Sequence, residues 1–93
     1  MIVWSDEAKK TYEAVIDDLL KKWPINVALD FEEKTNNLLD ILLDNKQLCQ
    51  PTKHKRLRKC VIHKNVSLIY KINRRKIEIV TFIFNKDDHR FYE

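Results

Sequence analysis

The feature that most constrains the fold is a change in hydrophobic period along the chain. Between residues 6 and 44, apolar side chains recur every three to four positions, the spacing of helices buried along one face. Between residues 57 and 84 they tend instead to alternate with polar ones, which is the spacing of β-strands. A chain that makes this change once collects its helices before its main sheet, which is typical of the α+β class.

Two helices are predicted in the first half. The first spans residues 6–22, with Ser5 as its N-cap, and Pro24 follows its end. The second spans about residues 26–44 and carries a single apolar stripe. Because the link between the helices is very short, we expect an antiparallel helical hairpin.

The second half predicts three strands, at residues 57–62, 66–72 and 77–84, after a brief strand at residues 2–4. Their connections are short enough for hairpins, so an antiparallel meander is expected. The third of these strands is apolar on both faces and reads as central, whereas the first two keep a polar side. The order is β-α-α-β-β-β: a helical hairpin packed on a small antiparallel sheet, in one domain over residues 1–93.

Composition argues against several classes of function. The chain has no glycine, which excludes a Gly-rich phosphate loop of the Walker or dinucleotide-binding kind. No signal peptide or membrane-spanning run is recognisable, so a cytosolic location is expected. Cys49 and Cys60 could pair, but a reducing compartment argues against it, and Cys60 reads as a small buried hydrophobe. No cofactor and no metal site is predicted.

Charge is divided unequally along the chain. Residues 1–47 contain six Lys/Arg and ten Asp/Glu, which gives −4, and residues 48–93 contain twelve and four, which gives +8. From Lys53 to Lys76 there are ten basic residues and no acidic one. Such a segregation indicates a surface that meets a polyanion, most plausibly nucleic acid, rather than an ordinary solvated face.

Several segments together resemble the RelE/ParE superfamily of bacterial toxins. Residues 2–8, IVWSDEA, resemble the opening strand and helix start of that family, and LRK at 57–59 followed by SLIYKI at 67–72 resembles its Arg…Ile-Ile-Tyr-Arg-Ile signature. Residues 77–85, IEIVTFIFN, resemble its last strand. The following NKDDH at 85–89 departs from the usual Asp-x-Arg-Gln-like turn. The resemblance covers essentially the whole chain.

This resemblance implies the toxin of a type II toxin–antitoxin pair, neutralised by a cognate antitoxin that wraps it. It also implies one of two activities. RelE-like members cleave mRNA on the ribosome without a metal, whereas ParE-like members poison DNA gyrase and have no known catalytic residues. The alternatives are therefore an endoribonuclease acting on ribosome and mRNA, or a binding inhibitor of gyrase.

Metal-free RNA cleavage needs a base, an acid and cations beside the reacting phosphate. If Leu57 and Val61 point into the core, Arg56 and Arg58 lie on the open face of their strand, while a shift of one residue would exchange the two sets. The resemblance suggests a C-terminal His or Tyr for proton transfer. The catalytic candidates are Arg58, Arg56, His89 and Tyr92. The nucleic-acid-binding candidates are Lys53, Lys55, Arg56, Arg58, Lys59 and Lys71.

Because the density of cations on one strand exceeds what a gyrase inhibitor needs, the predicted function is the ribosome-dependent mRNA endonuclease, with gyrase inhibition as the alternative. The generic Arg…Ile-Tyr-Lys-Ile pattern, and the lack of a clear acid–base pair, favour the gyrase inhibitor. A basic binding module without toxicity is a third alternative.

Overall fold

The computed structural model describes residues 1–54 and 56–84. The elements in chain order are β1 (Ile2–Trp4), α1 (Asp6–Lys22), α2 (Ile25–Asp44), β2 (Gln50–Pro51), β3 (Leu57–His63), β4 (Val66–Asn73) and β5 (Lys76–Phe84). Both helices and all three long strands agree with the sequence-based ranges to within one residue at either end. The predicted α+β architecture is confirmed.

The strands form one five-stranded sheet in the order β1-β5-β4-β3-β2. β3, β4 and β5 pair antiparallel, as expected, and β2 pairs antiparallel with β3. β1 lies parallel to β5, with Ile2 opposite Ile77. β2 was not predicted, because a two-residue strand has no period to detect. The sheet is therefore a meander with a short strand added at each edge.

The centre of the sheet is β4 rather than β5. Its residues from Val66 to Tyr70 are all buried, Ser67 included, so the expected polar side of this strand reaches solvent only from Lys71 onward. β4 has the long strands β3 and β5 on its two sides, which explains why its backbone and most of its side chains are shielded. β5 is also internal, between β4 and the short β1.

The start of α1 is tied to the sheet through its cap. Ser5 Oγ accepts a hydrogen bond from Ala8 N at 2.9 Å, which confirms Ser5 as the N-cap, and it donates to Val80 O at 2.8 Å. Asp6 and Glu7 in the first turn complement the positive end of the helix dipole. The N-cap Ser5 therefore both starts α1 and positions the start of this helix against β5.

A second tie lies nearly two turns further along α1, at Thr11. The pairing of β4 with β5 shifts register between Ile69 and Tyr70, and such an irregularity leaves backbone groups without a ladder partner. Phe82 N donates to Thr11 Oγ1 at 3.0 Å. A helix side chain thus accepts a hydrogen bond from the backbone N–H in the irregular part of β5, and this bond holds α1 against the sheet.

The core between helices and sheet contains a cluster of aromatic rings. Ring centroids of neighbouring members are 5.1 to 6.3 Å apart, a range in which edge-to-face and offset contacts stabilise the fold. The cluster consists of Trp4, Tyr12, Phe31 and Phe82. Among residues 1–54 and 56–84, neither helix is long and apolar enough to cross a membrane.

The faces of β3 are opposite to the expected ones. Cys60 is buried at 4% exposure, whereas Val61 is 66% exposed, so the one-residue shift has occurred. Pairing with β2 puts Gln50 opposite Lys59, and the preceding residue Cys49 then lies opposite Cys60 with 5.3 Å between their Cα atoms. The two cysteines form a disulfide, which corrects the expectation of free thiols.

Candidate functional site

The face of the sheet turned away from the helices is the candidate binding surface. Side chains along a strand alternate between the two faces of the sheet. Because the strand residues packed in the core point towards the helices, the strand residues between them point to the other face. We call this surface the open face. Its described members in β1, β3, β4 and β5 that reach solvent include Val3, Leu57, Lys59, Val61, Lys71 and Glu78.

The open face combines aliphatic and basic side chains. Val61 on β3 is 66% exposed and Val3 on β1 is 40% exposed, so each of these two strands presents a branched apolar side chain to solvent. Lys59 precedes Val61 by two residues on the same face of β3. Lys53, in the loop after β2, lines the same groove as Lys59 and Val61. This mixture suits a partner that offers both apolar and acidic groups.

Lys71 is partly neutralised by its neighbour on β5. Lys71 Nζ lies 3.4 Å from Glu78 Oε2, across the directly paired positions of β4 and β5. Asn73 Nδ2 donates to Glu78 Oε1 at 2.7 Å, and this bond, followed by the charge of Lys71, holds the pKa of the Glu78 carboxyl below its ordinary value. Lys59 has no such acidic partner among the described residues, so it carries the less compensated charge.

Arg58 lies on the opposite face from the predicted one. Its guanidinium Nη1 donates to Cys49 O at 2.6 Å and to Gln47 O at 3.3 Å, both in the segment that joins α2 to β2. The expectation that Arg58 belongs to the open face is therefore wrong. The reason is the shifted register of β3, which turns Arg58 to the same side as Cys60.

Tyr70 completes this arrangement from the neighbouring strand. It is directly paired with Arg58 and fully buried. Its hydroxyl donates to Lys46 O at 2.8 Å and accepts from Cys49 N at 3.4 Å. Burial raises the pKa of Tyr70, although the Cys49 hydrogen bond and the Arg58 charge partly oppose that rise. The phenol thus stays neutral well into alkaline solution.

Three side chains therefore hold one stretch of backbone, and we call them the linker clamp. The clamp consists of Arg58, Tyr70 and Cys60, and it holds residues 46–49 between the end of α2 and β2. The sequence did not reveal it, because each contact joins positions far apart in the chain. The only available signals were a tyrosine within an apolar strand and the two cysteines.

Arg56 is outside the regular part of β3. It has a φ of 73°, the left-handed region, and precedes the first residue of the strand. The loop that contains it is closed by Thr52, whose backbone N donates to Leu57 O at 2.9 Å, while Leu57 N donates to His54 O at 3.1 Å. The strand alternation assumed for Arg56 therefore does not apply, and its side chain is exposed at the end of the sheet.

Three predicted site residues, Lys55, His89 and Tyr92, lie outside the described residues. Of the others, Lys59 and Lys71 share the open face, Lys53 and Arg56 belong to the loop before β3, and Arg58 belongs to the linker clamp. Within residues 1–54 and 56–84, no group of three or more His, Cys, Asp or Glu side chains is arranged to bind a metal ion. The described chain thus gathers cations, but not in the single catalytic row that was expected.

Solved structures of toxins share this fold. A chain of the chromosomal ParDE system from P. aeruginosa is 15% identical with a TM-score of 0.74, over 89% of this chain and 92% of that one. A chain of the YoeB–YefM complex from Staphylococcus aureus is 18% identical with a TM-score of 0.67, over 90% and 94%. YafQ from E. coli strain BL21(DE3) is 15% identical with a TM-score of 0.62, over 92% and 93%.

Among curated proteins, sequence comparison finds no match. The family model described as the ParE toxin of the type II toxin–antitoxin system parDE, however, matches residues 2–88, almost the whole chain. This match agrees with the resemblance in the sequence and with the fold of the solved toxins. The chain therefore belongs to the ParE toxin family of type II toxin–antitoxin systems.

Proposed function

We propose that this toxin inhibits DNA gyrase by binding it through the open face, without chemistry of its own. The observation that carries the proposal is the pairing of exposed aliphatic and basic side chains on that face, with Val61 66% exposed beside Lys59. Protein interfaces take their binding energy from apolar groups buried at the centre and their register from charges around them. The family description, which names parDE, agrees with this activity.

The engagement of Arg58 also supports a binding role. An arginine that stabilises a reacting phosphate needs its guanidinium directed at the substrate. Here the Nη1 group of Arg58 is already hydrogen-bonded to two backbone carbonyls of the linker. Releasing it would leave the partly buried Cys49 O without its 2.6 Å partner, at a cost towards the lower end of the about 1–3 kcal/mol that a fully buried group would lose. Stabilisation of the linker is therefore the better-supported role.

The alternative function is a ribosome-dependent mRNA endonuclease, and one observation favours it. Lys59 and Lys71 lie on adjacent strands of the same face, and Lys71 is directly opposite Leu57, two residues before Lys59. Under this alternative, Lys53, Lys55, Lys59 and Lys71 would bind RNA. Arg56 and Arg58 would stabilise the phosphate, and His89 and Tyr92 would transfer protons.

Both alternatives include a cognate antitoxin. In the YoeB–YefM and DinJ–YafQ structures, a protein with this fold is bound in a complex with a second protein. We propose that an adjacent gene encodes an antitoxin for this chain, and that its binding blocks the surface used against the target. Both targets are cytosolic, so action in the cytosol is part of the proposal.

The two activities separate when the toxin is induced in a bacterial host without its antitoxin. Gyrase inhibition predicts early induction of a DNA-damage reporter while transcripts stay intact. The endonuclease predicts cuts within translated codons, seen by primer extension, before any DNA damage. Early cuts together with a silent damage reporter would contradict the proposal, and harmless expression would support a non-toxic binding module instead.

Matched variants assign the effect to the open face. Val61→Glu changes an exposed residue of that face and Lys59→Glu a half-buried one, and we expect both to lose at least about tenfold in potency, or about 1.4 kcal/mol of binding. The controls are Leu29→Glu, which alters an exposed aliphatic residue of α2, and Lys10→Glu, which alters an exposed lysine of α1. Equal losses in both pairs would refute the assignment to this surface.

A further inference from the structure

The hairpin between β4 and β5 extends beyond β3, whereas β1 stays beside β5 as far as Ile77. The two strands remain paired as far as Asn73 opposite Lys76. The pairing of β3 with β4, however, stops at Leu57 opposite Lys71, so β4 continues for two residues without β3 beside it. At about 3.3 Å per residue this leaves roughly 7 Å of β4 without β3 beside it. The pair of Asn73 and Lys76, with the turn that joins them, projects past both β3 and β1.

This projecting ribbon is strongly basic. Arg74, Arg75 and Lys76 are consecutive and exposed. The acidic residue closest to them along the chain is Glu78, which is already bonded by Asn73 and Lys71. The charge of Glu78 also interacts with Lys76, so it is Arg74 and Arg75 that carry the less compensated charge at the end of the ribbon.

Arg56 adds a cation at the same end of the sheet. Since Leu57 is opposite Lys71, the preceding residue Arg56 lies level with the start of the projecting part of β4. It is also exposed. We call Arg56, Arg74, Arg75 and Lys76 together the basic tip. The topology brings these residues together although they are some twenty positions apart in the sequence.

Two of these arginines occupy backbone positions that favour glycine. Arg56 has a φ of 73° and Arg74 a φ of 60°, and they are the described residues with positive φ. A Cβ atom in this region costs free energy, and a two-residue hairpin loop normally takes Asn or Gly there. Strained residues of this kind cluster where the side chain is needed for function. Arginine at both positions therefore points to a use for the guanidinium groups.

We propose that the basic tip binds the phosphate backbone of duplex DNA, with the β4–β5 turn and the end of its ribbon directed at the major groove. A two-stranded ribbon fits that groove, which is about 12 Å wide, and guanidinium groups match phosphate oxygens in geometry. The choice of duplex DNA rests on the proposed function, because gyrase acts on duplex DNA. In this arrangement the open face contacts gyrase while the tip contacts the DNA that gyrase holds.

The test is fluorescence anisotropy of the toxin with a labelled duplex of about two helical turns, without gyrase. Arg74→Ala combined with Arg75→Ala should weaken binding at least about tenfold. It should also lower the slope of log K against log salt by about 1.8, since each phosphate contact contributes about 0.9. The matched control is Lys9→Ala combined with Lys10→Ala, which removes two exposed cations from α1 and should leave both quantities near the wild type.

A single variant separates loss of binding from loss of folding. Arg74→Gly removes the side chain but relieves the backbone, so it should melt at a higher temperature than the wild type and still bind duplex DNA more weakly. Wild-type affinity in the double arginine variant, or an equal loss in the lysine control, would overturn the proposal. So would tighter binding to single-stranded RNA than to duplex DNA. Because gyrase is absent, a failure here leaves the gyrase result to be judged separately.

Discussion

Replacing Tyr70 with phenylalanine tests the linker clamp directly. The change removes one oxygen from a fully buried side chain and leaves the ring in the core. It deletes the 2.8 Å bond to Lys46 O and the longer 3.4 Å bond from Cys49 N. The shorter bond contributes about 1 kcal/mol net, and its loss leaves a partly buried carbonyl without a partner, which costs more. We therefore expect about 2 kcal/mol of destabilisation.

The assay is equilibrium unfolding in urea. With an m-value of about 1 to 2 kcal/mol/M, the midpoint should fall by roughly 1 to 2 M with m unchanged. Hydrogen exchange at Cys49 N should also accelerate, because its acceptor is gone. The matched control is Tyr12→Phe, since the Tyr12 ring packs in the aromatic cluster but its hydroxyl bonds no described residue. We expect the control to change stability by less than about 0.5 kcal/mol.

Equal stability of Tyr70→Phe and the wild type would refute the role of Tyr70 in the clamp. It would mean that residues 46–49 are held by the disulfide and Arg58 alone. A loss of similar size in Tyr12→Phe would instead show that the effect belongs to tyrosines of this core in general.

Three further predictions concern stability. Arg74→Gly should raise the free energy of unfolding by about 1 kcal/mol, because its φ of 60° penalises a Cβ atom; a decrease in urea unfolding would contradict this. Reducing the bond between Cys49 and Cys60, which are 11 positions apart, should lower stability by about 3 kcal/mol, and an unchanged midpoint with added dithiol would contradict this. The folded protein raises the pKa of Tyr70, so the neutral phenol stabilises the fold below about pH 10, and this stabilisation is lost as the pH rises through the folded pKa. In unfolding measured at alkaline pH, the wild type should therefore lose more stability than Tyr70→Phe.

Local signals in the sequence predicted the elements well. The cap at Ser5, Pro24 after α1 and the alternation beyond residue 57 each act within a few residues, and each marks a boundary that the structure confirms. Helix and strand boundaries that are set by neighbouring residues can be predicted without knowing the tertiary contacts.

The faces of β3 could not be predicted in the same way. Its segment has apolar residues at Leu57, Val61 and Ile62 and a cysteine at position 60, so either register buries two apolar side chains. The choice depends on Cys49 from the linker, which pairs with Cys60. A strand whose pattern is ambiguous takes its register from such long-range contacts.

The candidate site was anticipated in composition but not in arrangement. The sequence showed that cations gather after residue 52. It did not show that the Arg58 guanidinium would bind Cys49 O, or that Arg56 would adopt a positive φ at the end of the sheet. Lys59 was expected on the side of Leu57 and Val61, which was assigned to the core, whereas the structure places it on the open face together with Lys71.

The exposed apolar residues of the open face were overlooked. Val61 was assigned to the core because valine in a strand is more often buried than exposed. Its 66% exposure follows from the same register shift that turned Arg58 inward. One long-range contact thus changed both the basic and the apolar parts of the site.

The most direct test of the central claim uses purified toxin, gyrase and plasmid DNA. The proposal predicts that the toxin traps gyrase on cleaved DNA, so linear plasmid should accumulate after the protein is removed, and that Lys59→Glu should reduce this while Lys10→Glu does not. Normal supercoiling and no linear product with excess toxin would contradict it, most clearly if the same preparation cut mRNA on translating ribosomes.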